Sequence, residues 1–593
     1  MARGGEPLLA QRPSSEHSRD LAEEDALLTG ERTTGKTKDA SPSNRWRFYR
    51  EIGLFLWAVI ATAVLVILSI VYQRKQSAHH ATPSPSGKRN LIFMVSDGMG
   101  PTSLSMTRSF KQYQHGEPWD DTLVLDQHLI GQSRTRSSSS LVTDSAAGAT
   151  AFSCGFKSYN GAISVLDDHE PCGTVLEAAK KAGYMTGLVV TTRITDATPA
   201  CFAAHVHMRS EEDRIAEQMV GDYPLGRVVD LMFGGGRCHF LANNTDGSCR
   251  SDDKDIVAMA KDKGFNYIDS RKDFDGLNLG SSIELPMLGL FAETDIPYEV
   301  DRRNEEDIYP SLDEMAITAM RALSDATKDS DKGFFLMIEG SRIDHAGHAN
   351  DPVAQVHEVL AYDKAFASVL DFIEEDSTET VMVSTSDHET GGLAAARQLH
   401  TSYPEYLWHP SVLANASASA ERLASNYHKF LTSSSKKNDE ITSYIKNTLV
   451  QDLGVHDASD AEIHDLVSTP DRSPYIFADI ISRRAQTGWS THGHSAADVN
   501  IFASNARAAA PLVGNHENTE VGEFLSAYLD VDVSAVTDVL RKEGVYNPLE
   551  EGTERLGWMG KLPEEGVRLD GQDHLDHYQG DFKKHKRCEI CGV

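Results

Sequence analysis

Histidines and carboxylates stand in four separated stretches of the 593-residue chain, in combinations able to hold divalent metal ions. Asp97 follows the apolar run 91–95, and Glu339-Gly340-Ser341-Arg342-Ile343-Asp344-His345-Ala346-Gly347-His348 follows a second run at 334–338. Asp387-His388 closes a third run at 381–385, and Thr491-His492-Gly493-His494-Ser495 lies far downstream. Imidazole with carboxylate suits Zn2+ or a similar ion; carboxylate with hydroxyl oxygen suits Mg2+. Each stretch alone has a plain structural explanation. A strand-end Asp caps a helix, a lone His hydrogen-bonds, and Asp344 with His348 forms an i, i+4 surface pair. Several together, beside a serine set for attack, point to chemistry. That serine is Ser145, inside Leu141-Val142-Thr143-Asp144-Ser145-Ala146-Ala147-Gly148-Ala149-Thr150. Small residues around it suit a strand-to-helix turn where backbone packs closely. A helix starting there would favour an anion next to the hydroxyl. A serine hydroxyl is a weak nucleophile until a base or a metal lowers its pKa.

The elements that would carry these residues alternate strand and helix. The runs 91–95, 187–192, 229–233, 334–338 and 381–385 are apolar without alternation, the pattern of strands buried on both faces of a parallel sheet. Ligands of open α/β sheets bind off the carboxyl ends of the strands, so Asp97, Glu339, Asp387 and His388 should converge on one edge. Residues 394–487 are Ser/Ala-rich and less periodic, and read as an insertion or surface subdomain within a folded body at 90–547. Beyond 503 the chain reads as helical, and from about 548 as an acidic, loose extension, 548–593, open to processing.

Upstream of the body, residues 1–51 are polar and should be disordered. Residues 52–72 carry no charge and, at ~1.5 Å each, would cross roughly 30 Å of hydrocarbon as a helix. Arg45, Arg47 and Arg50 precede the run, Arg74 and Lys75 come after it, and the modest bias favours a cytosolic N-terminus with the body lumenal or extracellular. Residues 73–89 form a short stalk. Two glycosylation triplets, at Asn243 and Asn415, fit that side of the membrane. Cys154 with Cys172, and Cys238 with Cys249, could close short loops in an oxidising lumen, with the pairing left open. A net charge of -31 argues against a nucleic-acid partner and would repel anionic substrates at long range, so a phosphate site here must be locally positive.

The stretch Val142-Thr143-Asp144-Ser145-Ala146-Ala147-Gly148-Ala149-Thr150 closely resembles the signature around the phosphorylated serine of the alkaline phosphatases. The resemblance runs from about Asn90 to beyond Ala503 and takes in Asp196-Ala197-Thr198-Pro199, Ala204-His205 and Arg209. It implies a three-layer α/β sandwich with a largely parallel central sheet, preceded here by one transmembrane helix. It also implies hydrolysis of a broad range of phosphate monoesters through a phosphoserine on Ser145, with two Zn2+ and one Mg2+ per subunit, in a homodimer. Asp344, His348 and His494 resemble the ligands of one zinc. Asp387, His388 and Asp97, with the Ser145 oxygen, resemble those of the second. Asp97, Thr198 and Glu339 resemble the magnesium ligands, and Arg209 the arginine that grips phosphate oxygens. His492 and His494 both offer themselves in the fourth stretch; counting back without gaps from Asp498-Val499 favours His494. Asp196 and His345 form an outer shell mixing bacterial and animal patterns.

Glu23-Glu24-Asp25-Ala26-Leu27-Leu28 is similar to an acidic dileucine sorting signal, with Glu23, Leu27 and Leu28 as the residues a cytosolic adaptor would read. With the anchor, it makes the chain resemble most the fungal vacuolar members, type II membrane proteins. The vacuole membrane is therefore the expected location, with the cell surface as the alternative. Competing activities are those of the same superfamily, a phosphodiesterase, sulfatase or phosphomutase, or an inactive membrane-anchored binding protein. A zinc peptidase would need a His-Glu-x-x-His helix, which the chain lacks.

Overall fold

The uninterrupted apolar runs form strands sealed on both faces. The computed structural model describes residues 48–63, 87–400, 404, 406–543 and 557–563. Its strands are β1 (Arg89–Val95), β2 (Leu129–Arg134), β3 (Met185–Arg193), β4 (Leu231–Gly235), β5 (Asn266–Ile268), β6 (Met287–Leu290), β7 (Phe334–Glu339), β8 (Glu379–Thr385), β9 (Glu389–Thr390), β10 (His494–Ser495), β11 (Val499–Ala503) and β12 (Gly514–Glu517). Ten of them make one sheet in the order β12-β2-β11-β8-β1-β7-β3-β4-β6-β5, and β9 pairs with β10 separately. Every pairing in the large sheet is parallel except the two made by β11.

Alternate residues of each central strand enter different cores. Leu91, Phe93 and Val95 pack with Phe152, Phe202 and Leu525 on one face. Ile92 and Met94 pack with Met315, Met320 and Phe366 on the other. Two helical layers around one sheet are what fully apolar strands require, because neither face can be left in water. The helix Pro352–Glu375 starts cleanly because Asp351 caps it and Pro352 occupies its first turn.

β1 lies between β7 and β8, with Val95 opposite both Glu339 and Thr385. Three strands thus end at one level, and the residues after them leave the sheet together. The excursion read as an insertion is helical, with Pro410–Ala414, Ala420–Ser433, Asn438–Leu453, Asp460–Ser468 and Ser473–Ala485. Its neck is tied by an isolated bridge between Ala394 and Gly488. Its apolar residues form a third core with Met106 and Phe110 of the helix Pro101–His115.

Disulfides join Cys154 to Cys172 and Cys238 to Cys249, while Cys201 is a buried free thiol. Asn243 and Asn415 are exposed. Residues 557–563, assigned by composition to a loose extension, are instead packed on the body, with Met559 buried against Tyr159, Ala162 and Val165. One apolar residue at the right place outweighs the acidic composition around it.

The N-terminal unit, Met1–His80, contains a helix at residues 48–63 with exposed Phe55, Trp57 and Ile60. No helix among the described residues is long and apolar enough to cross a membrane. Residues 64–72 of the span read from the sequence, and Glu23, Leu27 and Leu28, lie outside the described residues.

Phe93 links the sheet to the helices carrying Ser145 and Thr198, with ring centroids 5.4 Å from Phe152 and 6.0 Å from Phe202. Replacing it with alanine should cost about 3–5 kcal/mol, since the surrounding helices cannot collapse into the void. A urea unfolding curve indistinguishable from that of the unaltered protein would contradict this packing role.

Candidate active site

Ser145 owes its position to the residue before it. Asp144 caps the helix Ser145–Cys154, its Oδ1 accepting the Ala147 amide at 3.0 Å. Its Oδ2 accepts the Gly161 amide at 3.0 Å, which pins the helix start to the next loop. Ser145 is therefore the first residue of a helix, where amides lack intrahelical partners. Its Oγ lies 3.1 Å from His388 Nε2.

The strand-end acids gather beside it. Asp97 Oδ1 is 3.7 Å from His388 Nε2, and Asp387 Oδ2 is 3.1 Å from the same nitrogen. Gly98, at φ +76, lets the turn after β1 pass the neighbouring helix; a Cβ there would lie 2.5 Å from Asp344 Cα. The helix Arg342–Ala349 carries Asp344, His345 and His348, and Asp344 Oδ2 lies 3.1 Å from His348 Nε2. The β9–β10 ribbon supplies His494, opposite Thr390. Its Nε2 lies 3.1 Å from His348 Nε2 and 3.5 Å from Asp344 Oδ1. Its ring stacks on His388 at 3.5 Å between centroids, joining the two groups.

His494, not His492, points into this cluster. His492 is exposed, and its backbone carbonyl accepts from His348 Nδ1 at 2.5 Å. Its own Nδ1 lies 2.8 Å from the His348 carbonyl oxygen. His492 thus orients a neighbouring ring rather than offering its own nitrogen, a role sequence spacing cannot distinguish from ligation. His492 also borders a cavity of about 510 Å3 shared with Tyr475, Trp489 and Arg397.

The electrostatics are those of crowded, buried acids. Burial, then the carboxylates of Asp387, Asp344 and Glu339, drive Asp97 well above the ordinary carboxyl range. Burial pushes Glu339 up to about 8. Burial also opposes charge on Asp344 and Asp387, but His348 and His494 hold Asp344 well below its usual value, and His388 holds Asp387 below its own. Asp97 Oδ1, Asp387 Oδ2, Thr198 Oγ1 and Glu339 Oε1 are buried without a hydrogen bond. An unsatisfied buried oxygen costs about 1–3 kcal/mol, more when charged. Four in one place fit ligands for divalent cations, and the imidazole and carboxylate donors beside them fit zinc-type ions. Asp97 with Asp387 and His388, and Asp344 with His388 and His494, lie close enough to share ions. Cys238, His239 and Cys249 also cluster, but both sulfurs are spent in a disulfide.

Arg209 is anchored by two acids, one of them the neighbour of Ser145. Its Nη2 donates to Asp196 Oδ1 at 2.8 Å and its Nη1 lies 3.5 Å from Asp144 Oδ2, while its buried Nε makes no hydrogen bond. Asp196 also meets Arg193 at 3.2 Å and lies 3.9 Å from His345 Nε2. Burial lowers His345 to about 4, so this imidazole is neutral at physiological pH. Sequence reasoning missed Thr390, whose hydroxyl donates to Asp344 at 2.5 Å and lies 3.2 Å from His388 Nδ1. It also missed the double duty of Asp144 as helix cap and arginine partner. Neither has a sequence signal beyond its neighbours.

A doubly covered parallel sheet with buried acids, histidines and a helix-start serine at its carboxyl edge is the arrangement of metal-dependent phosphoryl-transfer enzymes. Residues 88–531 match the family model described as alkaline phosphatase. The chain is 52% identical over 506 residues to the repressible alkaline phosphatase of Saccharomyces cerevisiae, covering 82% of this chain and 89% of that one. Its structure is similar to that of a cold-active alkaline phosphatase from Shewanella sp., at 30% identity and a TM-score of 0.61, over 74% and 99% of the two chains. It is similar too to a variant alkaline phosphatase of the Antarctic bacterium TAB5 solved with Mg bound in its M3 site, at 28% identity and a TM-score of 0.52, over 75% and 99%. This chain belongs to the alkaline phosphatase family. It is a metal-binding hydrolase that cleaves phosphate monoesters, which favours that reaction over the diesterase, sulfatase, mutase and inert-protein readings.

Gly148 lets the Ser145 helix lie against Asp387, since a Cβ at 148 would stand 3.0 Å from Asp387 Cβ. Gly148→Val should push the two apart and lower kcat/KM at least tenfold, because an error of ~1 Å between reacting groups can cost about 100-fold. Unchanged kinetics would show that this contact does not set the distance.

Proposed function

We propose that Ser145 is the nucleophile and is transiently phosphorylated during monoester hydrolysis. The observation that carries this reading is the Ser145 hydroxyl at a helix start, 3.1 Å from His388 and beside buried carboxylates that each keep one oxygen without a hydrogen bond. Asp344, His348 and His494 would hold one zinc; Asp97, Asp387 and His388, with Ser145, a second; and Asp97, Thr198 and Glu339 a magnesium. Magnesium in the M3 site of the TAB5 variant supports the last assignment. Bound there, divalent ions supply Lewis acidity that makes a serine hydroxyl attack at neutral pH and stabilises charge on oxygen.

The chain's own residues do the rest. Ser145 Oγ attacks phosphorus as its proton passes to water, the bond to the ester oxygen breaks, and the departing alkoxide takes up a proton from the same water, so the alcohol leaves with the proton the serine lost. Water then attacks the phosphoserine, releasing inorganic phosphate and restoring the hydroxyl. Arg209, anchored on Asp196 and Asp144, turns its remaining N–H groups to the equatorial oxygens, and the helix dipole favours the same charge. The Thr143 carbonyl, 2.8 Å from His494 Nδ1, keeps the proton on that nitrogen and the other lone pair free for a ligand bond. Recognition confined to the phosphoryl group leaves the alcohol portion in solvent, so the substrate range is broad.

We also propose a type II anchor through residues 52–72, sorting to the vacuole by Glu23, Leu27 and Leu28 through a coat adaptor, glycosylation at Asn243 and Asn415, and homodimerisation. The exposed apolar side chains of helix 48–63 and the exposure of both asparagines support the first and third. Confocal localisation of the Leu27→Ala/Leu28→Ala variant to the cell surface would agree with the sorting reading; unaltered vacuolar residence would reject it.

Ser145→Ala should abolish nearly all turnover and all phosphoenzyme trapping at low pH while leaving zinc content unchanged. Normal phosphoenzyme in that variant would reject the assignment. Exhaustive chelation should remove activity, and Zn2+ with Mg2+ should restore it. Full turnover by protein verified as metal-free would overturn the metal reading.

A further inference from the structure

The segment closed by Gly557–Met559 meets the chain at the residues that flank Arg209. Residues 205–209 run as a short irregular strip, bridged at Val206, bent at His207 and Met208 and turning at Arg209. On one side Val206 exchanges backbone hydrogen bonds with Ile163 at 3.0 and 3.1 Å, and the Arg209 amide donates to the Gly161 carbonyl at 2.7 Å. On the other side the His207 amide donates to the Met559 carbonyl at 3.2 Å. The Trp558 carbonyl accepts from Arg214 Nη1 at 3.3 Å and Gln218 Nε2 at 3.1 Å. Gln218 in turn holds both backbone groups of His205, at 2.7 and 3.1 Å. The Lys561 amide donates to Glu211 Oε1 at 3.0 Å. Gly560, at φ +85, passes so close to Glu211 that a Cβ would lie 2.1 Å from its carboxylate.

Side chains reinforce the backbone. Met559 is buried with Tyr159, Ala162 and Val165, and Met208 packs on the same group. The Trp558 ring lies 5.9 Å from His205 and 6.1 Å from Tyr223. Tyr159 donates to the His207 carbonyl at 3.0 Å, completing the grip. His207, Met208 and Glu211, immediately around Arg209, are therefore all held by residues 558–561. These contacts involve neither the candidate metal ligands nor the Ser145 helix.

We infer that residues 557–561 are a clasp that positions Arg209 for the phosphoryl group, and so set the affinity for phosphate separately from the reactivity of Ser145. The inference rests on reading Arg209 as a phosphate ligand. The physical reason is reach. The guanidinium sits on Asp196 and Asp144, so sliding of the 205–211 strip would draw the arginine stem along and pull the guanidinium off these acids, moving its free edge away from where the oxygens bind. A bidentate contact tolerates little such movement. Trp558 and Met559 are positioning residues, since they act only through Arg209.

The test uses the full chain loaded with zinc and magnesium, with an aryl phosphate as substrate and inorganic phosphate as competitive inhibitor. Trp558→Ala/Met559→Ala should raise KM and the phosphate inhibition constant about tenfold, with zinc content per folded molecule unchanged and kcat altered by less than threefold. Met559→Leu should behave like the parent, because it refills the pocket. Gly560→Ala, which disturbs the clasp through Glu211, should shift both constants in the same direction if the double variant folds poorly. In an Arg209→Ala background the clasp substitutions should produce no further loss of phosphate affinity. Additive losses in that background, or an unchanged phosphate inhibition constant in folded clasp variants, would overturn the inference and leave a purely structural contact. If Arg209→Ala itself left both constants unchanged, the arginine reading would fall first and the clasp with it.

Discussion

The constraint that organises this molecule is the repulsion among acids forced together at the end of a dry sheet. β1, β7 and β8 are neighbours in register, so Asp97, Glu339 and Asp387 must emerge at one level, and Asp344 joins them one turn into the next helix. Two like charges 4 Å apart repel by roughly 4 kcal/mol even at an effective dielectric of 20. The upward drive on Asp97 and on Glu339, to about 8, is the same repulsion and desolvation expressed as proton affinity. A fold does not retain such a cluster for stability. It must be met by opposite charge, and three imidazoles with a set of unsatisfied oxygens show where that charge belongs.

Two kinds of support serve this cluster. The sheet supplies rigidity: its central strands are buried on both faces, and their ends cannot drift apart without opening two cores. The histidines and the arginine are brought in on less regular segments. His494 rides a two-residue ribbon and is oriented by Thr143, and His348 is oriented by the backbone of His492. Rigid elements thus fix the charges that repel. Short hydrogen-bonded segments deliver the groups that must be aimed.

The legibility of the sequence divides along the same line. Asp97, Glu339, Asp387 and His388 could be read because a strand buried on both faces is an unbroken apolar run, and an ionisable residue just past its end is conspicuous. The outer strands escaped: β5 and β12 at the two edges, and β2 next to β12, are short and partly exposed, so no apolar run marks them. The choice between His492 and His494 was only favoured by spacing, since the ribbon begins at His494 and His492, two residues earlier, lies outside it and turns its ring to the His348 backbone. Thr390 and Asp144 act through contacts made across the fold, which residue type alone does not announce. Composition misjudged residues 557–563 because a single buried methionine and a few carbonyls, too sparse for any pattern, hold them in place.

The balance of charge also says what Arg209 contributes. Six carboxylates, Asp97, Asp144, Asp196, Asp344, Asp387 and Glu339, surround the place where Arg209 and Arg193 are the cationic side chains, and the whole chain carries -31. Arg209 is already paired with Asp144 and Asp196, so most of its positive charge is spent before an ester arrives. As the proposed phosphate ligand its value would then be geometric: a fixed fork rather than an attractive field. Attraction for a phosphate dianion has to come from bound divalent ions, and by thermodynamic linkage phosphate must in turn strengthen their retention. The carboxylates that make the bare site hostile to phosphate are the same groups that make it receptive to metal, so one cluster sets both affinities.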